Sequence, residues 1–238
     1  MKPFLKRLLD RATQPYRAGG RFAWYFARGK LSGDPVFAGL LELAAIPDGA
    51  RLLDLGCGQG LLASWLGAAR GLYEAGQWHD GWPAPPRLAA YRGVELMASD
   101  VARARAIVGE SAEVVQGDIR TAPFGKADVV VILDVLHYIP HEEQEQVLQR
   151  VREALLPSGK LVLRIGDAAG GLRFLYGKLV DLVVFFLRGH GVATLHTRSL
   201  AEWRALLNGM GFSVESLPMY KGTPFASTLI LASVSGNR

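Results

Sequence analysis

Leu53-Asp54-Leu55-Gly56-Cys57-Gly58-Gln59-Gly60 stands between a short apolar run, Arg51 to Leu55, and a helical pattern, Leu61 to Ala69. Glycines at the end of a strand let the backbone turn and pass close to a ligand, where a Cβ would collide with it. The spacing is G-x-G-x-G with an acid two residues upstream. A dinucleotide loop reads G-x-G-x-x-G and holds a pyrophosphate at its helix N-terminus. Asp54 would instead set a carboxylate near the loop, which is unfavourable for a diphosphate and favourable for an ammonium group. On this spacing a dehydrogenase is set aside.

On either side the chain alternates in type. Tyr91 to Leu96 is expected as a second strand and Ser99 to Val108 as the helix after it. Ala112 to Gln116 is a third strand, and Ala127 to Leu133, nearly all apolar, suits a strand buried on both faces. Pro140 opens a helix with Val147, Leu148, Val151, Leu155 and Leu156 at helical spacing; Pro157-Ser-Gly159 is expected to end it, and Lys160 to Ile165 is a fifth strand. Ser199-Leu-Ala-Glu202 is a capping-box pattern before another helix. Phe212 to Met219 and Ser227 to Ser233 are two more strands, joined by a short loop and therefore expected to pair antiparallel. Strands alternating with helices predict a parallel sheet with helices on both faces.

Acids recur where strands should end: Glu95 at the end of the second, Asp118 just after the third, Asp134 after the fourth. Ligands of open α/β sheets bind outside the carboxyl ends of the strands, so these groups can face one crevice. Glu95 suits the two hydroxyls of a ribose, and Asp118 an adenine amino group.

With these blocks in order, the sequence resembles the class I S-adenosylmethionine-dependent methyltransferases over roughly residues 35–235. The resemblance is carried by the glycine loop, Gly93-Val-Glu95, Gln116-Gly-Asp118, Leu133-Asp-Val-Leu-His137 and Leu156-Pro-Ser-Gly-Lys-Leu-Val-Leu163. It implies a Rossmann-like, mostly parallel seven-stranded α/β sheet of order 3-2-1-4-5-7-6 with strand 7 antiparallel, and S-adenosyl-L-methionine as cofactor. By position it implies Asp54 near the methionine ammonium and Gly56, Cys57, Gly58 and Gly60 as the loop under the cofactor. It implies Glu95, with Leu96 beside it, on the ribose. Asp118 with Ile119 would frame the adenine, and Asp134 would line the methionine side. Arg28 and Lys30 could close over the cofactor carboxylate or be surface charge.

Such folds place the ribose acid about 20 residues after the loop, whereas Asp54 and Glu95 are 41 apart. The excess, residues 71–88 with Trp78, His79 and Trp82, reads as an inserted loop, either a partner or acceptor surface or a tolerated decoration. A second insertion, residues 166–195, holds Leu172, Phe174, Leu175, Leu179, Val183, Phe185 and Phe186. It reads as a lid over an apolar acceptor, as a membrane-contacting helix, or as a plain core helix.

The chain has 238 residues, one cysteine (Cys57) and a net charge of +5. An internal disulfide and a multi-thiolate zinc site are excluded. The charge is uneven: residues 1–30 carry eight basic side chains against Asp10, +7, while the other 208 residues, with 19 basic and 21 acidic, are −2. Residues 1–34 are expected as a basic amphipathic arm or cap, with residues 35–238 as the methyltransferase domain. The arm suggests an anionic partner (a phospholipid surface, an acidic protein or nucleic acid) or a solvated helix face. No secretory signal is visible, and Leu172 to Leu187 contains Arg173, Lys178 and Asp181, so it reads poorly as a membrane span of ~20 apolar residues. The expected location is the cytoplasm of a bacterium, with the inner-membrane surface as the second reading.

Methyl transfer needs an acceptor held in line about 3 Å from the methyl carbon with water excluded. A general base is needed only where the acceptor must lose a proton. His137, Tyr138 and His196 are the candidates; the alternative for His137 is packing against its own loop. His137 and His141 are four apart, but Pro140 lies between them and no Glu partner is in place, so no metal site is expected. The acceptor reads as a small organic molecule. The opening, Phe22 to Lys30 then Gly33-Asp-Pro35, also resembles methyltransferases of bacterial aryl-polyene pigment clusters, which implies an aromatic acyl group on an acidic carrier protein. The rivals are a nucleic-acid methyltransferase, which lacks its Asn/Asp-Pro-Pro-Tyr-type block here, and a non-catalytic binding module.

Overall fold

A computed structural model describes residues 3–109, 112–171 and 195–234. Among them the strands form one seven-stranded sheet of order β3-β2-β1-β4-β5-β7-β6. The strands are β1 (Arg51–Leu55), β2 (Ala90–Glu95), β3 (Glu113–Gln116), β4 (Ala127–Leu133), β5 (Leu155–Gly166), β6 (Phe212–Pro218) and β7 (Ser227–Val234). The order is the expected one. The chain divides into two compact units, Met1–Pro123 and Phe124–Arg238.

In the first unit β1 pairs parallel with β2 and β2 with β3, and the register sets Asp54 beside Gly93 and Leu55 beside Val94. Helices α4 (Leu61–Glu74) and α5 (Ala98–Val108) follow the first two strands. Three helices precede them: α1 (Pro3–Thr13), α2 (Arg21–Gly33) and α3 (Pro35–Glu42), with a 3-10 turn at Gln14–Arg17. Asp34 caps α3 by accepting from the Val36 N–H at 3.1 Å.

Residues 3–34 form helices that pack on the rest of this unit. The apolar stripe of α1 (Phe4, Leu8, Leu9, Ala12) is buried and packs on α4, and the Ser64 hydroxyl donates to the Ala12 carbonyl at 2.7 Å. With Leu8 fully buried and Leu9 2% exposed, that stripe is not available to a lipid surface. The sequence pattern also under-read α4. Gly71 looked like the start of an insertion, yet Leu72 continues the buried spacing and the helix runs on to Glu74. The inserted loop that follows is a clasp for α1: Phe4 makes edge-on contacts with Trp78 at 5.1 Å and Trp82 at 5.4 Å. Its return leg lies along residues 48–50, where the Gly49 N–H donates to the Arg87 carbonyl at 2.8 Å and the Arg87 N–H to Asp48 Oδ1 at 2.7 Å.

In the second unit β4 pairs parallel with β5, and β7 runs antiparallel between β5 and β6. Val129, Val130, Val131 and Ile132 are fully buried, as a two-sided central strand requires. Helix α6 (His141–Ala154) ends earlier than its periodicity suggests, because Leu155 already turns extended and Leu155 to Gly159 belong to β5. The expected capping box opens α7 (Leu200–Gly209): the Ser199 hydroxyl accepts from the Glu202 N–H, and the Glu202 carboxylate accepts from the Ser199 N–H at 2.7 Å. Ser199→Ala should cost about 1 kcal/mol, read as a lowered urea midpoint with an unchanged slope. Most of the second insertion, residues 172–194, lies outside the described residues, as do all the apolar side chains named for it. Among the described residues no helix is long and apolar enough to cross a membrane.

Candidate active site

At the end of β1 the backbone turns through Gly56, Gly58 and Gly60 at φ of 77°, 54° and 79°, left-handed values at which a side chain is strained. The turn is pinned to β2, whose Val94 carbonyl accepts from the N–H groups of Gly56 and Cys57. Glu95 then ties loop and strand end together. One carboxylate oxygen accepts from the Gly58 N–H at 3.0 Å and the other from the Met97 N–H at 2.9 Å. Both bonds fix the carboxylate beside the glycine loop. Each oxygen keeps further acceptor capacity, since a carboxylate offers about four lone-pair sites. Leu96, 55% exposed, stands next to it.

Asp54 is placed differently from a group open to solvent. It is 3% exposed, and one carboxylate oxygen accepts from the Tyr91 hydroxyl at 2.8 Å. Burial pushes its carboxyl up to about 7, against the lowering effect of the tyrosine bond. Cys57 lies in the same buried cluster, and desolvation first, then the Asp54 and Glu95 charges, holds its thiol well above the usual range, so it is not a poised nucleophile.

Gly93 has no side chain because Cys57 fills the space: a Cβ there would stand 2.7 Å from the cysteine Sγ. Gly93→Ala should destabilise the protein by about 1–3 kcal/mol in thermal unfolding, and adding Cys57→Ala should restore part of that loss.

Asp118, just after β3, is charged and engaged. The Arg120 guanidinium donates to both its oxygens and holds its carboxyl below the usual carboxylate range. Ile119 beside it is 7% exposed. Arg28 and Lys30, the two cations considered for a cofactor carboxylate, have neighbours nearer in sequence. Arg28 pairs with Asp10 at 2.7 Å and Lys30 with Asp34 at 2.9 Å, one helical turn away.

Two residues of this unit were not singled out from the sequence. The Tyr16 hydroxyl, on the 3-10 turn, donates to the Gln59 carbonyl at 3.1 Å and so joins the N-terminal helices to the glycine loop. The Gln59 side chain is 3% exposed, and among the described residues neither its Nε2 nor its Oε1 has a hydrogen-bond partner. A buried amide left unsatisfied costs roughly 1–3 kcal/mol, which marks the loop as a place completed by a ligand.

In the second unit Asp134 sits at φ 58° at the end of β4, with Oδ1 3.3 Å from Nε of the buried Arg164. The turn Leu136–Tyr138 follows, with the His137 and Tyr138 rings 4.1 Å apart. The three candidate bases share one scaffold. The His196 N–H donates to the His137 carbonyl at 2.8 Å. Gln144 of α6 is fully buried, with its Nε2 within reach of the Leu136 and Ile139 carbonyls at 3.0 Å and the His196 carbonyl at 2.7 Å. Its Oε1 accepts from Arg198 Nε at 3.1 Å. Gln144 was legible as an anomaly, a polar residue on the stripe of Val147, Leu148 and Val151.

A family model described as a methyltransferase domain matches residues 25–217. The chain belongs to the class I S-adenosylmethionine-dependent methyltransferases. Their cofactor, S-adenosyl-L-methionine, fits the residues present: a turn with glycine at positions 56, 58 and 60, a carboxylate fixed beside it and an unsatisfied buried amide within it.

Among curated relatives, this methyltransferase is 33% identical over 130 residues to the carboxy-S-adenosyl-L-methionine synthase of Chromohalobacter salexigens, covering 52% of this chain and 43% of that protein. It is 32% identical over 136 residues to the synthase of that name from Pseudomonas fluorescens strain Pf0-1, covering 50% and 53%. The chain thus spans about half the length of the curated relatives it matches. Among solved structures it resembles the magnesium protoporphyrin IX methyltransferase of Synechocystis PCC 6803 with bound S-adenosylhomocysteine (TM-score 0.60, 19% identity, 97% of this chain and 99% of that one). An O-methyltransferase family protein from Burkholderia thailandensis is also similar (TM-score 0.61, 18% identity, 99% and 68%).

Proposed function

We propose that this chain transfers the methyl group of S-adenosylmethionine to a small organic acceptor. The observation that carries the reading is the Glu95 carboxylate, locked by the N–H groups of Gly58 and Met97 at the mouth of the glycine loop. S-adenosylmethionine supplies a methyl group on a sulfonium, a good leaving group. The protein has to bind, orient and exclude water. Glu95 holds the ribose hydroxyls, Asp118 and Ile119 frame the adenine, and the glycine loop lets the backbone approach the cofactor. Asp54 and Asp134 take the methionine side. His137, Tyr138 or His196 accepts a proton where the acceptor carries one.

The test is calorimetric titration of the folded protein with S-adenosylhomocysteine, followed by methyl-transfer assays on aromatic acids, free and tethered to an acidic carrier protein. Micromolar binding with methylated product supports the reading. A folded protein that does not bind S-adenosylhomocysteine would leave only an interaction module.

The carboxy-S-adenosyl-L-methionine synthases among the relatives favour a second reading, in which this chain makes or uses carboxylated S-adenosylmethionine. Mass spectrometry of the cofactor after turnover separates the two, since a carboxylated product and a methylated acceptor differ in mass.

A further inference from the structure

The N-terminal helices line an open surface cleft of about 820 Å³ whose walls include Asp10, Arg11, Gln14, Arg17, Trp24 and Arg28. Its charges are unbalanced in a specific way. Arg28 is matched by Asp10. Among the described residues Arg11 and Arg17 have no acidic partner, so the cleft keeps two uncompensated guanidiniums.

Both are held in place. Arg17 stacks over the Trp24 ring at 5.3 Å, so the indole orients its guanidinium and leaves its N–H edge free to donate, while Arg28, paired with Asp10, lies 5.6 Å from the same ring. Arg11 lies against α4 where Gly71 has no side chain: a Cβ there would stand 2.5 Å from its Nη2. Gln14 adds an exposed amide.

We propose that this cleft binds the phosphate group of a phosphate monoester. A phosphate monoester carries −1.5 to −2 at pH 7 and three acceptor oxygens, which matches two unpaired guanidiniums; a single carboxylate would leave one of them uncompensated. The site is separate from the glycine loop but adjoins it. The 3-10 turn that supplies Gln14 and Arg17 also carries Tyr16, whose hydroxyl holds the Gln59 carbonyl. The proposal does not depend on methyl transfer, and titration with S-adenosylhomocysteine tests that reading separately.

The experiment titrates the whole chain with phenyl phosphate at fixed ionic strength, following the indole NMR signal of Trp24, assigned by its loss in Trp24→Phe. Saturable binding is expected, weakened about tenfold or more by Arg17→Ala and by Arg11→Ala and unchanged by Lys6→Ala, an exposed cation of the same helix outside the cleft. Benzoate should bind more weakly than phenyl phosphate. Phosphatidylcholine vesicles containing phosphatidic acid then identify the source. Vesicle binding that needs Arg11 and Arg17 assigns the phosphate to a lipid headgroup, and indifference to vesicles assigns it to a soluble ester. No saturation, equal affinity for benzoate, or an equal loss in Lys6→Ala would overturn the proposal.

Discussion

Glu95→Ala should weaken S-adenosylhomocysteine binding by at least about 150-fold. The reasoning starts from the two ribose hydroxyls that a carboxylate at this position can accept. Each hydrogen bond to a charged group is worth roughly 1.5–3 kcal/mol, so losing two costs at least about 3 kcal/mol. The same substitution also frees the Gly58 and Met97 N–H groups that Glu95 now holds. A loosened loop would lower affinity without any ribose contact, so a second variant is needed. Glu95→Gln keeps one acceptor oxygen and nearly the same shape. If the carboxylate binds ribose, Gln should recover part of the affinity, and 2′-deoxy-S-adenosylhomocysteine should lose less on the Glu95→Ala protein than on the wild type. Wild-type affinity in Glu95→Ala would remove Glu95 from the site and, with it, the observation on which the methyl-transfer reading stands.

How far the sequence reaches can be seen at this same residue. Its place at the end of β2 was readable because an acid closes a strand-like run, and the register of Asp54 with Gly93 and Leu55 with Val94 delivers it to the loop. What was not readable is that Glu95 already has backbone partners. The bond from Gly58 spans 37 residues, and no periodicity encodes it. Arg28 and Lys30 show the same limit in reverse. Their charge was visible; that Asp10 and Asp34 pair with them once the segment becomes helix α2 was not. That helix was itself obscured by its aromatic residues, which are indifferent helix formers; Ala23, Ala27 and Leu31 carry its buried face.

The inserted loop shows the other kind of limit. Its length and its Trp and Pro content mark a departure from the usual spacing, and either a partner surface or a decoration would carry the same signature. Only tertiary packing shows Trp78 and Trp82 spent on Phe4 of α1.

Asp54→Asn should stabilise the cofactor-free protein by about 4 kcal/mol above pH 8, with the gain gone near pH 4. Asp54 is fully enclosed, and burial raises its carboxyl from 3.8 to about 7. The folded state therefore holds a proton that the unfolded state releases. Stability falls as pH rises from about 4, where the unfolded chain begins to ionise, and the loss is complete once the folded carboxyl has ionised above about 7. A difference of about 3 units at 1.36 kcal/mol each gives the magnitude. Asparagine never ionises, and its side-chain oxygen still accepts the Tyr91 hydroxyl, so it should abolish this slope. Denaturant unfolding at pH 5, 7 and 8.5 would show it: the variant flat where the wild type declines. The cost should appear in binding. If the carboxylate faces the methionine ammonium, that ammonium restores the charged form that burial disfavours. S-adenosylhomocysteine should then stabilise the wild type more than the variant at pH 8.5. A variant with the wild-type pH profile would mean that Asp54 is not the group that titrates. Equal stabilisation of both by the ligand would place the ammonium elsewhere, and leave Asp54 as a strut beneath the loop held by Tyr91 alone.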